Sequence, residues 1–443
     1  MPPRLPCDRR SHHRRWLQCF LFALLMLLCF SASAVERSFT LVYSGNLDGE
    51  LEPCGCSEAG DLGGLRRRAT LIHRLRAENP HMALISAGGL LHVEGAGDRL
   101  KSEYILSGFR QLEYDAVGVQ WGDLAFGPEF IFGAGLPWVA SNWLDDEMVV
   151  SRRISRGGVR LAFFDWLDPA TSPLRQMKGE RRRVADDPAQ LHEELRKAKK
   201  DGVLTILATT LSAEQAASRL GLQDVDILIQ RAAYEKYGKP LRLGDTLVLQ
   251  PGSRGMSLGR LDLRVAEGRI VKWQHQVLPM PDSMPNAPSM ADWYAAYNAA
   301  VKAAYLKRVE IRKQRESGQS PFVGEEVCAS CHAQQHAVWA DSDHAVAYDD
   351  LEAVGKSFDP ECLQCHTVGF ERPGGFIDMK LTPHLLGVQC ETCHGAGRKH
   401  AESAGKAALA NAGWTPQRMC AQCHTQPHSP GFDFATYWPK IRH

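Results

Sequence analysis

The sequence has little net charge, and its central part is short of histidine. Lys and Arg together number 52 and Asp and Glu 51, so the formal net charge is +1. A balance this even argues against nucleic-acid binding through bulk electrostatics. Between Val93 and Arg269 the only histidine is His192, in a helical pattern. That stretch therefore offers few of the imidazole ligands that a hydrolytic metal centre needs.

The N-terminal apolar run, residues 16–30, is too short for a comfortable membrane span. It follows a basic segment and precedes Ala32-Ser33-Ala34, a small-x-small cleavage pattern. We expect residues 1–34 to be an export signal and the mature chain to begin at Val35 in the periplasm. An uncleaved, membrane-associated anchor is the alternative. The basic residues of the segment are Arg9, Arg10, Arg14 and Arg15.

Cysteine is scarce in the body of the chain but is repeated regularly near its end. Of the 13 cysteines, eight occur in four copies of Cys-x-x-Cys-His, the attachment pattern of c-type haem. In each copy the two thiols bond to the porphyrin and the histidine is the proximal iron ligand. We therefore predict four c-type haems and an electron-transfer function. The copies are Cys328-Ala-Ser-Cys331-His332, Cys362-Leu-Gln-Cys365-His366, Cys390-Glu-Thr-Cys393-His394 and Cys420-Ala-Gln-Cys423-His424.

Each iron can take a second histidine on its far face or keep that face open for a small molecule. His344, His384 and His400 are the predicted distal ligands, because they lie in helical or loop settings near the motifs. His428 and His443 are weaker candidates. Three candidates for four irons leave one iron in question, and an open iron is where an electron carrier and an enzyme would differ.

The preceding residues, 39–278, alternate short apolar runs with amphipathic segments, which is typical of a layered α/β domain. Strands are expected at 39–43, 82–86, 116–119, 137–140, 159–164, 203–208 and 225–230, and helices at 64–76, 188–200 and 212–220. The runs 247–250, 258–265 and 270–277 are expected to be a closing set of antiparallel strands.

This rhythm resembles the metallophosphoesterase domain of periplasmic nucleotidases. The resemblance rests on the segments 41–49, 63–72, 84–90, 114–118 and 140–142, and it implies two metals held by Asp and His at the strand ends. The ligands depart from the family pattern, so we expect a degenerate metal site without hydrolytic activity. Asn46-Leu47-Asp48 replaces Asp-x-His, Gly89 replaces an Asp, Gln120-Trp121-Gly122-Asp123 replaces Asn-His-Glu, and Thr209-Thr210 and Gln230-Arg231 stand where His is expected.

Cys54 and Cys56 form a Cys-Gly-Cys pair that follows the first of these segments. Two thiols one residue apart make a poor disulfide, because the small ring strains the bond geometry. A thiolate metal or redox site is one interpretation, and a reduced pair that only shapes the loop is the other.

The remaining residues are expected to form a linker and a domain built around haem. Four prolines within 279–288 predict a linker, and the pattern from Asp292 to Glu316 predicts a long helix. Residues 321–443 are too few to build a large apolar core around four porphyrins, so this domain should need haem to fold. The expected boundaries are thus 1–34, 35–278, 279–320 and 321–443.

Residues 321–443 resemble the tetrahaem cytochrome c family whose type member accepts electrons from hydroxylamine oxidoreductase. The resemblance rests on the segments 327–332, 339–345, 361–370, 387–397 and 429–434. It implies a mainly α-helical or irregular multihaem domain, redox protein partners in the periplasm or at the membrane, and mostly bis-histidine haems with one lacking a distal ligand. An oxidoreductase acting on a small nitrogen or sulfur species at an open haem is the alternative, and a phosphoesterase with an attached cytochrome is the third.

Overall fold

The computed structural model describes residues 36–54, 61–93, 98–145, 148–173, 183–230, 237–316, 318–425, 428–429 and 431–443. The predicted export signal and Cys56 lie outside these residues, as does the side chain of Cys54. Among the helices of the described part, none combines the length and the apolar character needed to cross a bilayer.

The N-terminal region contains two six-stranded sheets and one two-stranded ribbon. The first sheet has the order β14-β13-β1-β4-β5-β6 and the second the order β11-β12-β10-β9-β8-β7, and β2 pairs with β3. The strands are β1 Arg37–Ser44, β2 Pro53–Cys54, β3 Leu62–Gly63, β4 Ala83–Ser86, β5 Ala116–Gly118, β6 Trp138–Val139, β7 Arg152–Arg156, β8 Val159–Trp166, β9 Leu204–Thr209, β10 Ile227–Gln230, β11 Leu241–Leu243, β12 Thr246–Leu249, β13 Ser257–Ala266 and β14 Arg269–Pro279.

The second sheet is parallel in its centre and antiparallel at both margins. The first sheet is antiparallel on one side, from β14 to β1, and parallel from β1 to the opposite edge at β6. β9 lies parallel to both β8 and β10, and all six of its residues are buried, which is why its sequence is almost continuously apolar. β13 pairs antiparallel with both β1 and β14, and Gly268 lies in the short turn between β13 and β14. The prediction that 247–250 joins this antiparallel set is wrong. β12 lies in the other sheet, parallel to β10, because its apolar residues pack there.

The two sheets pack face to face with helices on their outer faces, which gives a four-layered α/β domain. Alternate residues of β1 face opposite sides: Leu41 packs against the second sheet, and Val42 packs against helices. The helices of this region are α1 Leu65–Glu78, α2 Asp98–Gln111, α3 Pro128–Phe132, α4 Ala189–Lys200 and α5 Ala213–Leu220, with 3-10 turns at Trp121–Leu124, Pro169–Thr171 and Pro288–Met290.

A single long helix, α6 (Ala291–Arg315), connects the two regions of the chain. Trp293 and Tyr297 on its first half are buried in the core beside the first sheet. Tyr305 and Val309 on its second half are buried in the core of the C-terminal region. The proline-rich segment before α6 packs on the N-terminal domain, since Met280 and Ala287 are buried there.

The C-terminal region contains short helices and loops, and no strand among its described residues. Its apolar core has ten buried residues, from Tyr305 to Leu385, and no described residue after Gly397 is buried. The layered α/β domain followed by a mainly helical region confirms the predicted fold class. The helices are α7 Glu325–Ala329, α8 Ala333–Ala340, α9 Ala347–Ala353, α10 Pro360–His366, α11 Cys390–His394, α12 Arg398–Glu402, α13 Pro416–Cys420 and α14 Phe434–Tyr437, with 3-10 turns at Pro383–Leu385 and Trp438–Lys440.

Candidate haem sites and the phosphoesterase-like site

Each Cys-x-x-Cys-His motif lies on or beside a short helix, which brings its three functional side chains to one side of a helical turn. In the first motif the His332 amide donates to the Cys328 carbonyl at 2.9 Å, and in the fourth the His424 amide donates to the Cys420 carbonyl at 2.9 Å. Residues at i, i+3 and i+4 share one helix face. Two thiols and one imidazole of each motif can therefore address a single porphyrin.

Three of the four motif histidines face another histidine ring. The ring centres are 6.2 Å apart for His332 and His400, 6.1 Å for His424 and His344, and 5.9 Å for His394 and His443. Two imidazoles on opposite sides of one metal ion, each bonded at about 2.0 Å and each with a ring radius of about 1.1 Å, place their centres about 6 Å apart. The spacing in all three pairs thus fits one iron between two histidines.

In two of these pairs, the Nδ1 of the histidine outside the motif has a carbonyl acceptor. His400 Nδ1 donates to the Ala407 carbonyl at 2.8 Å, and His443 Nδ1 donates to the Ile441 carbonyl at 2.9 Å. A carbonyl oxygen only accepts, so the proton is on Nδ1 and the lone pair is on Nε2. Hydrogen bonding of the outer nitrogen is the usual way in which a metal-binding histidine is oriented.

His366, the motif histidine of the second site, has no other histidine ring against it among the described residues. Its Nδ1 donates to the Ala347 carbonyl at 2.5 Å, which again leaves Nε2 for a metal. Among the described residues, the second motif thus differs from the other three in that its histidine forms no ring pair with another histidine.

The other predicted and weaker candidates occupy different surroundings. His384 is exposed in a 3-10 turn, and none of the histidine ring pairs in the described part of the chain includes it. His428 is exposed, and His336 pairs with Glu325 through an Nε2–Oε2 contact of 2.5 Å. His443, a weak candidate in the sequence, lies against His394. No periodic signal marks it, because it follows the 3-10 turn at Trp438–Lys440.

The thiols of different motifs lie next to one another. Cys328 hydrogen-bonds to Cys390, and Cys365 hydrogen-bonds to Cys423. The bond from Cys328 lowers the pKa of the free Cys390 thiol to about 7, whereas burial raises that of Cys393, near Cys420, to about 11. Helix α11 also packs against α7 and α13. The first motif is thus adjacent to the third, the third to the fourth, and the fourth to the second.

In the N-terminal domain, the side chains at the positions where the sequence resemblance leads us to expect metal ligands bind one another. Gln120 Nε2 donates to Asn46 Oδ1 at 2.8 Å, and Asn46 Nδ2 donates to Asp48 Oδ1 at 2.9 Å. Gly89 has a φ of +69°, and a Cβ there would lie 2.6 Å from the Asn46 amide carbon. An aspartate at position 89 would therefore displace Asn46, so the two departures from the family pattern depend on each other.

The Asp123 carboxylate holds neighbouring backbone segments together. Its carboxylate is fully buried and accepts the backbone amides of Gly89, Leu90, Leu91 and Gln120 at 2.7–3.0 Å. Burial raises the pKa of this carboxyl to about 6, against the opposing effect of the four amides. Both oxygens are thus occupied, and no group of three or more His, Cys, Asp or Glu side chains in the described residues is placed to hold a metal ion.

Sequence reasoning missed Asp165, which lies beside this network at the end of β8. It is buried and accepts the Val119 amide at 3.1 Å. Burial raises the pKa of Asp165 well above its ordinary value, and the nearby Asp123 adds to the effect. The available signal was a single acidic residue at the end of the apolar run Val159–Trp166. At Thr209, one of the later positions where the resemblance leads us to expect His, the side chain donates to the Trp166 carbonyl at 3.1 Å.

Comparison with known proteins divides the chain in the same way. The family model "Cytochrome c554 and c-prime" matches residues 327–395, which include the first three motifs. Cytochrome c-554 of Nitrosomonas europaea is 37% identical over 102 aligned positions, which cover 18% of this chain and 43% of that protein. The chain thus spans less than half of the length of this relative. These matches support covalently bound haem c and a multihaem c-type cytochrome.

The N-terminal region matches solved structures by fold. A 5'-nucleotidase precursor from Thermus thermophilus superposes with a TM-score of 0.51 at 18% identity, covering 60% of this chain and 59% of that one. The sulfate thiohydrolase SoxB from the same organism gives a TM-score of 0.52 at 18% identity, covering 59% and 60%. Identity this low establishes the fold alone. The chain therefore joins a region with the 5'-nucleotidase fold to a region similar to cytochrome c-554.

Proposed function

We propose that the chain is an exported electron carrier with four covalently bound haems. The observation that supports it most directly is the set of three histidine ring pairs at 5.9–6.2 Å, each with one motif histidine. When bound, c-type haem supplies reversible one-electron chemistry at a potential set by axial ligands and burial. The partners would be redox proteins in the periplasm or at the membrane.

In this proposal His400, His344 and His443 are the distal ligands of the first, fourth and third sites. His384 is not part of the proposed set, because it is exposed and forms no ring pair with a motif histidine among the described residues. The second site, at His366, keeps an open face. The thiol contacts favour the order first, third, fourth, second for the four sites, so electrons would enter or leave at the first and second.

Haem content and spin state test this proposal. We expect four haems per chain by the pyridine haemochrome assay, and electron paramagnetic resonance showing three low-spin ferric haems and one high-spin haem. His400→Ala should convert one low-spin signal to high spin, and deletion of His443 should convert another. The matched controls, His384→Ala and His428→Ala, should change neither. One haem per chain, or a spin change in His384→Ala alone, would refute the assignment.

A second function is favoured by the absence of a histidine ring opposite His366 in the described residues. An open second site would bind a small nitrogen or sulfur species, and the protein would then be an oxidoreductase. Addition of nitric oxide, nitrite or hydroxylamine should shift the high-spin signal only. Turnover with a redox dye would favour the enzyme, and binding without turnover would favour the carrier.

Phosphoester hydrolysis is the least supported function, because the carboxylate oxygens of Asp48 and Asp123 already accept hydrogen bonds from within the domain. Incubation of the full chain with a nucleoside monophosphate and Mn²⁺ should release no phosphate above background. The Cys54 and Cys56 thiol site stays a proposal, and thiol titration with and without added Zn²⁺ or Cu⁺ tests it.

A further inference from the structure

The N-terminal domain contacts the second haem motif through a lysine of helix α2. Lys101 Nζ lies 2.8 and 2.9 Å from the two carboxylate oxygens of Glu361. Glu361 is the residue directly before Cys362, the first thiol of the motif. The Lys101 side chain is 18% exposed, so part of its charge is shielded from solvent. A cation of the haem-free domain thus lies beside the second motif.

A second contact of opposite sign lies next to the first. Glu52 of the N-terminal domain accepts from Lys356 Nζ at 2.7 Å, and Lys356 also reaches Asp359 at 3.5 Å. Asp359 is 5% exposed, and it caps helix α10 by accepting the Glu361 amide at 3.1 Å. The Lys356 side chain is 11% exposed, with its Nζ 5.3 Å from the ring centre of Tyr294. The ion pair is therefore largely enclosed.

The second contact comes from the segment that carries Asn46 and Asp48, since Glu52 follows them closely in the chain. Asp48 accepts the Arg254 amide at 3.2 Å, and Arg254 Nη2 donates to Glu50 at 2.8 Å. Glu50 is close enough to Lys101 to act on it electrostatically. A chain of charged groups therefore runs from the phosphoesterase-like site to the second haem motif.

We propose that the phosphoesterase-like domain sets the reduction potential of the haem bound at Cys362 and Cys365, with Lys101 raising that potential and Glu52 lowering it. Reduction of a haem lowers its net charge by one, so a nearby cation favours the reduced form and a nearby anion the oxidised form. Lys101 pairs with Glu361, the residue directly before Cys362, and Glu52 acts electrostatically on Asp359, three residues before it. Both charges therefore lie on the order of 10 Å from the first thiol. The inference rests on the proposed function in requiring haem at this motif.

The test is a spectroelectrochemical titration of the full-length holoprotein, comparing the wild type with Lys101→Met and Glu52→Gln. We expect Lys101→Met to lower the equilibrium constant for reduction of the second haem roughly two- to fivefold. At 59 mV per tenfold change for one electron, that is a fall of about 20–40 mV. Glu52→Gln should shift the same haem upward by a comparable amount. Glu361→Gln should also raise the potential of this haem, and it replaces Glu52→Gln in the test if that variant does not fold.

The control is Arg99→Met, on the same helix as Lys101, because Arg99 pairs with Glu103 of its own domain at 3.3 Å and both are exposed. Its shift should be smaller than that of Lys101→Met. A merely structural role would move the potential in the same direction in both test variants, and that outcome overturns the inference. Shifts no larger than the control also overturn it. A wild type without haem at Cys362 and Cys365 would instead overturn the proposed function, so the two failures are distinct.

Discussion

The two regions of the chain differ in what fills their interiors. The N-terminal domain has three apolar clusters, one between its two sheets and one beneath the helices on each outer face. The C-terminal region has a single cluster of ten buried residues, two of which belong to α6. Burial of apolar surface can hold the first region together without help. The second region has too little apolar burial and depends on other interactions.

The two regions also differ in what they retain of the proteins they resemble. The N-terminal domain has the 5'-nucleotidase fold, and polar side chains that bind one another occupy the positions where the sequence resemblance leads us to expect metal ligands. The C-terminal region has all four attachment motifs and little core of its own. A packed core thus preserves a fold after its ligands change, whereas a domain built around cofactors keeps its shape only through those ligands.

The largest predicted effect is the loss of one domain when haem attachment is prevented. The chain produced in a host without the c-type haem attachment apparatus should keep its N-terminal domain, while the residues after α6 become sensitive to protease. The reason is that no described residue after Gly397 is buried without haem. Limited proteolysis with mass spectrometry measures the boundary. The haem-loaded chain is the control, and a protease-resistant haem-free C-terminal region would contradict the comparison.

Asp123→Ala should produce the next largest effect, and in the other domain. The substitution leaves four buried backbone amides without their acceptor, which we expect to cost roughly 3–5 kcal/mol of unfolding free energy. Chemical denaturation followed by tryptophan fluorescence measures it, and the haem count per chain should stay unchanged. Asp201→Ala is the control, since Asp201 forms an exposed pair with Arg153. A loss in Asp123→Ala as small as the loss in Asp201→Ala would mean that the four amides are satisfied in another way.

Much of the fold could be predicted from the sequence, because the N-terminal strands are short apolar runs separated by amphipathic helices. The predicted helix at 188–200 forms as Ala189–Lys200, and the predicted strand at 203–208 as Leu204–Thr209. Strand partners could not be predicted in the same way. The run 247–250 looks like its neighbours in the chain, yet it pairs across a distance with Ile227–Gln230, which only the packed sheet determines.

The haem site was predictable where the chemistry is local and obscure where it is not. Two thiols and a histidine within five residues specify one attachment site, so the motifs identify themselves. A proposed distal ligand is brought to its motif histidine by the tertiary fold, from 68 residues away for His400 and His332 and 49 residues away for His443 and His394. Nothing in the sequence around His384 and His443 shows which of them lies against a motif histidine. Asp165 is a similar case, because its carboxylate accepts the amide of Val119, which follows a strand of the other sheet.

A smaller effect is expected where α6 joins the two regions. The Tyr305 hydroxyl donates to the Ile377 carbonyl at 2.9 Å, and both residues are buried. Tyr305→Phe removes this bond and should cost about 1 kcal/mol. Thermal unfolding followed in the Soret band should show the loss, while the N-terminal transition stays in place. Tyr437→Phe, at an exposed position, is the control. A shift of both transitions would show that α6 couples the two domains into one cooperative unit.

The smallest effect is a pH dependence confined to the N-terminal domain. His275 Nε2 lies 2.8 Å from the Tyr43 hydroxyl, and burial lowers the pKa of this histidine. The unfolded chain therefore binds the proton more readily, so stability is fully present above the unfolded pKa of about 6.5 and is lost as pH falls below it. His275→Gln keeps a hydrogen-bonding group beside Tyr43 without the titration, and it should flatten the fall between pH 7 and 5. Asp123, with its raised pKa, gives the opposite slope in both proteins and cancels in their difference. His81→Gln, at an exposed position, should keep the wild-type slope, and a flattened slope there would assign the effect to histidines in general.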